Sequence, residues 1–470
     1  MDRLNSLDAR FVDAEDSNPH TSMAIASIAV FEGPVPSYEE FVAAIAGRLP
    51  LVPRYRQKLR TLPGRVGPPV WVEDPHFDLR YHVRQTALPA PGGDPELSRL
   101  MARVMAQRLD RERPLWEYWL VEGLEGDHWA VISKVHHCMV DGVSGTDLYR
   151  VVFDLTPEPS PPVADTRQAG SEPSDLRLVA AAALDRAMLP VREARGVASA
   201  FLRPGELVRH ATDTVRGAAR LATSLLPATA SSLSGPIGNQ RRYTWVRASL
   251  DDIRTVKGQF GGTVNDVVLA AITSGFRSLL VSRGEHPEPH MLRSLVPVSV
   301  RAPGEEGIYE NRVSAILAYL PVDVPDPLDR LAAMREELAA LKSSGEATAG
   351  EALTALLRYL PFPLASLVGR LAFAVPQRDI VTVTTNVPGP RQPLYGLGRR
   401  LVEILPYVPI STTVRTGISI FTYCDKVTFG ITGDYDTTPD LEVLARGIEA
   451  GVAELVKAAE QARRAAAQPV

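Results

Sequence analysis

Two adjacent histidines followed by Asp-Gly bring together the residues of this chain that are best suited to chemistry. The stretch reads His136-His137-Cys138-Met139-Val140-Asp141-Gly142, in a protein with nine histidines among 470 residues. Residues 129–135 before it alternate large and small side chains and are rich in β-branched types, which predicts a strand. Because neighbouring strand residues point to opposite faces, one histidine is expected to face a cleft while the other packs behind it.

A histidine presented in this way is suited to general-base chemistry. Its unperturbed pKa of about 6.5 lets it accept a proton near neutrality. The pair lacks the i, i+4 spacing of a helical zinc site, so no metal is expected. The sequence contains no Gly-x-Ser-x-Gly elbow, Walker A loop or dinucleotide fingerprint, and Cys138 is interpreted as a small packing residue. A lone base needs an activated electrophile, and a thioester fits, because the acceptor alkoxide attacks the acyl carbon and thiolate leaves.

Length and composition indicate a globular protein of two or three domains. The net charge of −4 gives no positive field, so a nucleic-acid partner is not expected. Cys138 and Cys424 make no disulfide framework, which predicts a reduced, cytosolic protein. The N-terminus does not resemble a secretory signal, and no run of about eighteen apolar residues occurs, so any membrane contact is expected to be peripheral.

Turn and helix signals divide the chain into two modules and a connecting segment. Residues 1–155 are expected to form an N-terminal module, with a Ser37–Glu40 capping box, a helix from about residue 94, strands at 21–31, 118–121 and 129–135, and a helix at 143–153. Residues 156–238 are predicted to be a Pro-rich linker followed by Ala- and Arg-rich helices. Between 175 and 226 this segment has eight arginines and five acids, which favours either contact with an anionic membrane or a solvated face on helices between domains.

Residues 239–470 are expected to form a second module of similar type. Its predicted elements are an apolar helix at 267–280 capped by Thr263 or Asn265, strands at 292–300, 314–322 and 380–385, a helical region at 326–375, a hairpin at 417–432 and a closing helix at 441–464. Strands and helices on both sides of the connecting segment predict an α/β protein, with two α+β sandwich modules facing one another.

The histidine motif resembles the signature of the CoA-dependent acyltransferase superfamily, which also includes chloramphenicol acetyltransferase and the condensation domains of peptide synthetases. Further stretches resemble, in order, blocks of the bacterial wax ester synthase/diacylglycerol acyltransferases; these are Pro114-Leu115-Trp116, Asn265-Asp266, Pro297-Val298-Ser299-Val300-Arg301, Asn311-Arg312 and Asn386-Val387-Pro388-Gly389-Pro390. The resemblance covers nearly the whole chain. It implies two chloramphenicol-acetyltransferase-like modules with the active site in a tunnel between them.

The resemblance also implies roles for individual residues. His137 is the expected general base, His136 and Asp141 support the loop, and Arg301 is the expected partner of Asp141. Gly142 is expected to let substrate approach, since it has no Cβ. The candidates for holding the acceptor or the oxyanion are Asn265, Thr384, Thr385 and Asn386. The alternative role for Asn265 is a helix cap, and for the block that begins at Asn386 it is a rigid turn.

The implied activity is that of an acyl-CoA-dependent O-acyltransferase. It would form triacylglycerol from diacylglycerol, with wax esters from long-chain alcohols as a second product, and would use acyl-CoA as co-substrate without a cofactor. The expected location is the cytoplasm, at the inner face of the plasma membrane or at lipid droplets. Two alternatives stay open, a condensation-type enzyme acting on carrier-protein-bound acyl groups and a non-catalytic lipid-binding relative. The sequence shows no neighbouring carrier domain, which the first alternative would usually have.

Overall fold

Two six-stranded sheets organise the chain. The computed structural model describes residues 2–4, 6–63, 67–139, 152–165, 173–180, 184, 231–299, 313–343, 380–411 and 413–467. Within these residues the protein has a mixed α/β architecture with two sheet-rich halves, which confirms the predicted fold class. Most of the predicted helix at 143–153, most of the Ala- and Arg-rich helices and residues 344–375 lie outside the described residues.

The first half combines a central hairpin with surrounding helices. Its elements are α1 (Ser6–Ser17), β1 (Ala24–Glu32), α2 (Tyr38–Arg48), β2 (Gln57–Arg60), β3 (Val70–Glu73), α3 (Leu79–His82), β4 (Val83–Ala87), α4 (Asp94–Ala106), β5 (Trp116–Leu124) and β6 (His128–His136). The predicted Ser37–Glu40 capping box is present at the start of α2. The sequence did not predict α1. It predicted strand or loop at 81–83, whereas in the structure the single-turn helix α3 ends at His82. This turn forms because the Asp78 side chain caps it by accepting from Arg80 N.

The second half places helices against its own sheet. Its elements are β7 (Arg241–Ser249), α5 (Leu250–Phe260), α6 (Val264–Ser282), β8 (Leu292–Ser299), β9 (Val313–Leu320), α7 (Pro327–Ser343), β10 (Ile380–Val387), β11 (Tyr395–Gly396), β12 (Arg399–Tyr407), β13 (Thr416–Tyr423), β14 (Lys426–Asp434) and α8 (Leu441–Ala467). Helix α6 is long and apolar enough to cross a membrane by length and composition alone. Its most apolar window is 72% buried inside the protein, which is typical of a core helix.

Sheet membership does not follow chain order. The first sheet has the order β11-β12-β1-β6-β5-β4, and the second has the order β7-β14-β13-β10-β8-β9. Strands β11 and β12 therefore come from the predicted 239–470 module, yet β12 pairs antiparallel with β1 in the first sheet. This pairing covers the β1 edge, which would otherwise present unpaired backbone groups. As a result β1 and β6, the strands that lead to the histidines, both lie in the interior of the sheet.

The two sheets meet through close contacts of β7 and β14 with β12 and α4. The Tyr243 hydroxyl donates to Pro406 O at 2.8 Å. A Cβ on Gly430 would lie 1.7 Å from the same carbonyl, so β14 approaches β12 as closely as it does because this residue is glycine. Arg247 on β7 pairs with Glu403 at 2.8 Å and with Asp94 at 2.6 Å. These contacts fix the second half against the sheet that carries the histidines.

Candidate active site

The histidine pair lies where β6 ends in the interior of the first sheet. His136 is the last residue of β6, and residues 137–139 form a 3-10 turn. The backbone N–H of His137 donates to Met23 O at 3.0 Å, which extends the β1–β6 register by one residue. His136 is 1% exposed, whereas His137 is partly exposed. Alternation along the strand thus gives the two rings different environments, as the sequence predicted.

His136 holds the turn that presents its neighbour. The backbone N–H of Cys138 donates to His136 Nδ1 at 3.2 Å, so this nitrogen is the acceptor and Nε2 carries the proton of the neutral ring. His136 Nε2 lies 3.6 Å from Glu15 Oε2. Burial lowers the pKa of His136, and Glu15 opposes this change. Burial also raises the pKa of the Cys138 thiol, in agreement with a packing role for that residue.

Glu15 on α1 is a site residue that the sequence analysis missed. Its carboxylate is 1% exposed and accepts from Met23 N at 3.0 Å, from Arg111 Nε at 3.0 Å and from Arg111 Nη2 at 2.5 Å. Burial on its own would raise the pKa of Glu15, but His136, Arg111 and the Met23 N–H together lower it to about 2. An ionised carboxylate therefore faces the proton-bearing nitrogen of His136. No local pattern marks Glu15, since its partners are distant in sequence.

The segment after α4 connects the elements around the histidines. Arg108 Nε donates to Thr21 O at 2.8 Å, and its Nη2 donates to Glu15 O at 2.5 Å. Lys134, two residues before the histidine pair, donates from Nζ to Val104 O at 2.9 Å and to Gln107 O at 2.7 Å. Burial lowers the pKa of Lys134 to about 8. The ammonium caps the C-terminal end of α4 and ties that helix to β6.

His137 is an unprotonated imidazole beside an aromatic ring. Its ring stacks on Phe11 of α1, with centroids 3.9 Å apart and an interplanar angle of 28°. Burial, with a smaller contribution from His136, lowers the pKa of His137 to about 4. At neutral pH the ring is therefore free to accept a proton. His137 is partly exposed while its Nδ1 is buried, so a substrate hydroxyl is expected to approach its Nε2.

The structure decides which residue caps α6. Thr263 is the N-cap, and it forms a capping box with Asp266 in which Thr263 N donates to Asp266 Oδ2 at 2.6 Å. Asn265 therefore does not cap the helix. Its Oδ1 instead accepts from Asn386 Nδ2 at 3.4 Å, so two stretches predicted to hold substrate lie in contact. The Asn265 amide N–H groups are not used in this contact.

The end of β10 contains the other candidates from the second half. Thr384 is buried, and its hydroxyl accepts from Ser294 Oγ at 2.7 Å, whereas Thr385 and Asn386 are partly exposed. In the following turn, a Cβ on Gly389 would lie 2.0 Å from Thr422 O, which is consistent with a rigid turn there. Asp141, Gly142 and Arg301 lie outside the described residues, so the proposed pairing of Asp141 with Arg301 stays a prediction.

Comparisons with known proteins agree with this architecture. Residues 4–268 match the family model of the wax ester synthase/diacylglycerol acyltransferase catalytic domain, and residues 309–456 match that of the WS/DGAT C-terminal domain. The chain is 42% identical to the probable diacylglycerol O-acyltransferase tgs1 of Mycobacterium tuberculosis H37Rv, over 97% of this chain and 96% of the relative. It is 35% identical to the putative diacylglycerol O-acyltransferase Rv3371 of the same strain, over 97% of this chain and 91% of that relative.

Solved structures give the same result. The wax ester synthase/diacylglycerol acyltransferase from Marinobacter aquaeolei VT8 superposes with a TM-score of 0.69 at 27% identity, covering 98% of this chain and 100% of that one. The starter condensation domain of rhizomide synthetase RzmA superposes with a TM-score of 0.59 at 16% identity, covering 98% and 94%, which indicates a shared fold. This chain belongs to the wax ester synthase/diacylglycerol acyltransferase family.

Proposed function

We propose that the protein is an acyl-CoA-dependent diacylglycerol O-acyltransferase, with long-chain alcohols as second acceptors that give wax esters. The observation that carries this proposal is the neutral, partly exposed His137 ring at the end of β6, in a chain closely related to diacylglycerol O-acyltransferases. The reaction as proposed needs no cofactor, because the thioester of acyl-CoA already supplies the activation.

In the proposed mechanism His137 first accepts a proton and then donates the same proton. It takes the proton from the acceptor hydroxyl as the oxygen attacks the acyl carbon of the thioester. The carbon–oxygen bond forms, the carbon–sulfur bond breaks, and the proton passes from His137 to the departing thiolate. The products are the ester and free CoA. His136 supports this cycle by accepting the Cys138 N–H, which holds the turn that carries His137.

The second half is proposed to supply the polar groups around the acyl carbon. Asn265 is the leading candidate for an oxyanion or acceptor contact, since Thr263 takes over the capping role and leaves its amide N–H groups for substrate. Thr385 and Asn386 are proposed to contact the acceptor from the end of β10. Asp141, supported by Arg301, is proposed to hold the loop around Gly142.

The direct test measures CoA release and lipid product from labelled palmitoyl-CoA, with diacylglycerol in one arm and hexadecanol in the other. We expect product with diacylglycerol, and we expect His137→Ala to abolish transfer while the circular dichroism spectrum stays unchanged. His128→Ala is the matched control, because His128 begins the same strand at its opposite end. Comparable turnover in His137→Ala would remove the general base. No CoA release with either acceptor would favour a carrier-protein substrate or a non-catalytic lipid-binding role.

We further propose peripheral attachment to the inner face of the plasma membrane or to lipid droplets through the connecting segment. Two of its described leucines, Leu176 and Leu184, are 81% and 66% exposed, and Leu155 immediately before the segment is 74% exposed. Such side chains, together with the arginines of this segment, suit an anionic lipid surface. The test deletes residues 181–226, which keeps Leu178, a residue that is 1% exposed. We expect weaker sedimentation with anionic liposomes, and unchanged sedimentation would exclude residues 181–226 as the anchor.

A further inference from the structure

Several partly exposed side chains lie on one face of the first sheet, near the position of His137. The β1–β6 register pairs Ile25 with Val135, Ser27 with Ser133, and Ala29 with Val131. Because Met23 O accepts from His137 N, His137 belongs to the same series, two residues beyond Val135. Residues two apart in a strand share a face, so all of these side chains point to the side of the sheet on which the His137 position lies.

Exposure along this face ends abruptly. On β1, Ile25 and Ser27 are partly exposed, as is Ser133 on β6, while Val135 between Ser133 and His137 is 5% exposed. Farther from His137, Ala29 and Val131 are 3% and 1% exposed. Strands β1 and β6 have partners on both sides, so the exposed surface does not come from a sheet edge. We interpret it as one side of a cleft that runs from the His137 position past Ile25 to the two serines. The buried pair beyond them closes it.

The end of the cleft carries two hydroxyl groups. The Oγ atoms of Ser27 and Ser133 lie 2.9 Å apart, at a part-buried position. Two hydroxyls have two hydrogens, and their mutual hydrogen bond uses one of them. The contact between the serines therefore does not use the second hydroxyl hydrogen. Further along the same face the Phe31 and Trp129 rings stack with centroids 4.4 Å apart, so the adjoining core is apolar and filled.

The length of the cleft suits an aliphatic chain. Four residues of strand separate His137 from Ser133, a distance of about 13 Å along β6. With carbon–carbon bonds of about 1.5 Å, roughly ten methylenes span this distance in extended form. A chain of eight carbons would then stop short of the serines. A chain of sixteen carbons would have to pass or bend around them, against hydroxyl groups that methylenes cannot satisfy.

We propose that this cleft takes the aliphatic chain of a substrate and that Ser27 and Ser133 are specificity-determining residues for its length. The inference rests on the proposed acyl transfer to a lipid acceptor. The chain is either the acyl chain of the thioester or the alkyl chain of the acceptor, which share the same chemistry. The serine pair discriminates between the two lengths because its hydroxyls meet long chains only.

The experiment compares palmitoyl-CoA with octanoyl-CoA at a fixed acceptor, and hexadecanol with octanol at a fixed acyl-CoA, by kcat/KM. Ser133→Leu places a branched side chain at the end of the cleft. We expect it to lower the long-to-short ratio about tenfold in one of the two arms, a change typical of one misfitted apolar group. The arm that responds identifies the source of the chain. Ala26→Leu is the control, because partly exposed Ala26 adjoins Ser27 and faces the opposite side of the sheet. Its ratios should equal those of the wild type.

The variant Ser27→Ala/Ser133→Ala provides a second measurement that does not add bulk. Removing both hydroxyls should raise the long-to-short ratio in the same arm. If Ser133→Leu does not fold, this ratio alone tests whether the serine pair determines chain length. Ratios equal to the wild type in both arms for the folded variants would overturn the serine pair as a length determinant, while leaving the proposed acyl transfer intact. If the wild type transfers no acyl group, the proposed function fails, and binding of a long-chain fluorescent fatty acid to the same variants tests the cleft without turnover.

Discussion

Replacing Glu15 by glutamine tests whether α1 holds the histidine pair. The Glu15 pKa lies at about 2 in the folded protein, against an ordinary value of 4.5. This difference corresponds to about 3 kcal/mol of folding free energy that depends on the ionised carboxylate. Glutamine keeps the shape but offers one acceptor oxygen, and its NH2 group would face Arg111, which itself donates. Because Arg111 also pairs with Asp16 at 3.5 Å, the expected loss is about 2–3 kcal/mol rather than more.

The pH dependence of this loss has a definite sign. A carboxylate whose folded pKa is depressed stabilises the protein above its unfolded value of 4.5, and this contribution disappears as the pH falls towards 2. Urea denaturation should therefore separate wild type and Glu15→Gln at pH 7, and the two curves should converge as the pH drops below 4.5. Glu39→Gln is the control, since Glu39 is exposed and pairs with Arg80 on the surface.

Glu15→Gln should also affect turnover. Because Glu15 reaches His137 through His136 and through Met23, we expect a lower kcat with little change in KM, measured at a temperature at which both proteins are folded. A variant with wild-type stability at pH 7 and wild-type kcat would refute the role of Glu15 in positioning the histidines. A loss of stability without any change in kcat would limit Glu15 to holding α1 in place.

Three further substitutions have clear expected outcomes. Asn265→Ala should lower kcat by about 10²–10³ without changing the melting temperature if Asn265 is an oxyanion donor, and an unchanged kcat would leave it a structural role. Burial lowers the pKa of His82 to about 4 from an ordinary 6.5, so the wild type should lose stability as the pH falls from 6.5 to 4. In urea titrations the His82→Gln variant should lose less stability over this pH range. The same pH dependence of stability in both proteins would contradict this. Arg48→Met should lower the free energy of unfolding by about 3–5 kcal/mol, because it leaves the buried Asp154 carboxylate, whose Oδ2 lies 2.6 Å from Arg48 Nη2, without its charged partner. The double variant Arg48→Met/Asp154→Leu should recover much of this loss. Equal denaturation midpoints for the single and the double variant would argue against a buried pair.

The strands and helices with a strong local pattern were predictable. Residues 129–135 alternate as a strand should, and β6 covers them; Ser37 and Glu40 form the capping box that their spacing predicted. The cap of α6 was narrowed to two candidates, since Thr263 and Asn265 both have side chains that accept from a backbone N–H. Only the backbone geometry, with Thr263 in an extended conformation before the first turn, decides between them.

Other features left no local signal. Helix α1 has few apolar positions, among them Ala9 and Val12 in the core, so its periodicity is weak although it carries Glu15 and Phe11. The addition of β12 to the first sheet was likewise unpredicted. An alternating pattern shows that a strand buries a face, but it does not identify the neighbouring strand.

The sequence by itself determined the residue types at the site, the strand that delivers them and the family. Those properties depend on side-chain chemistry and on local periodicity, which the order of residues contains. Tertiary structure decided that Glu15 faces His136, that burial lowers the His137 pKa to about 4, and that the Ser27 and Ser133 hydroxyls meet across β1 and β6. Each of these depends on which distant segments pack together and on how much water they exclude, and no spacing along the chain specifies either.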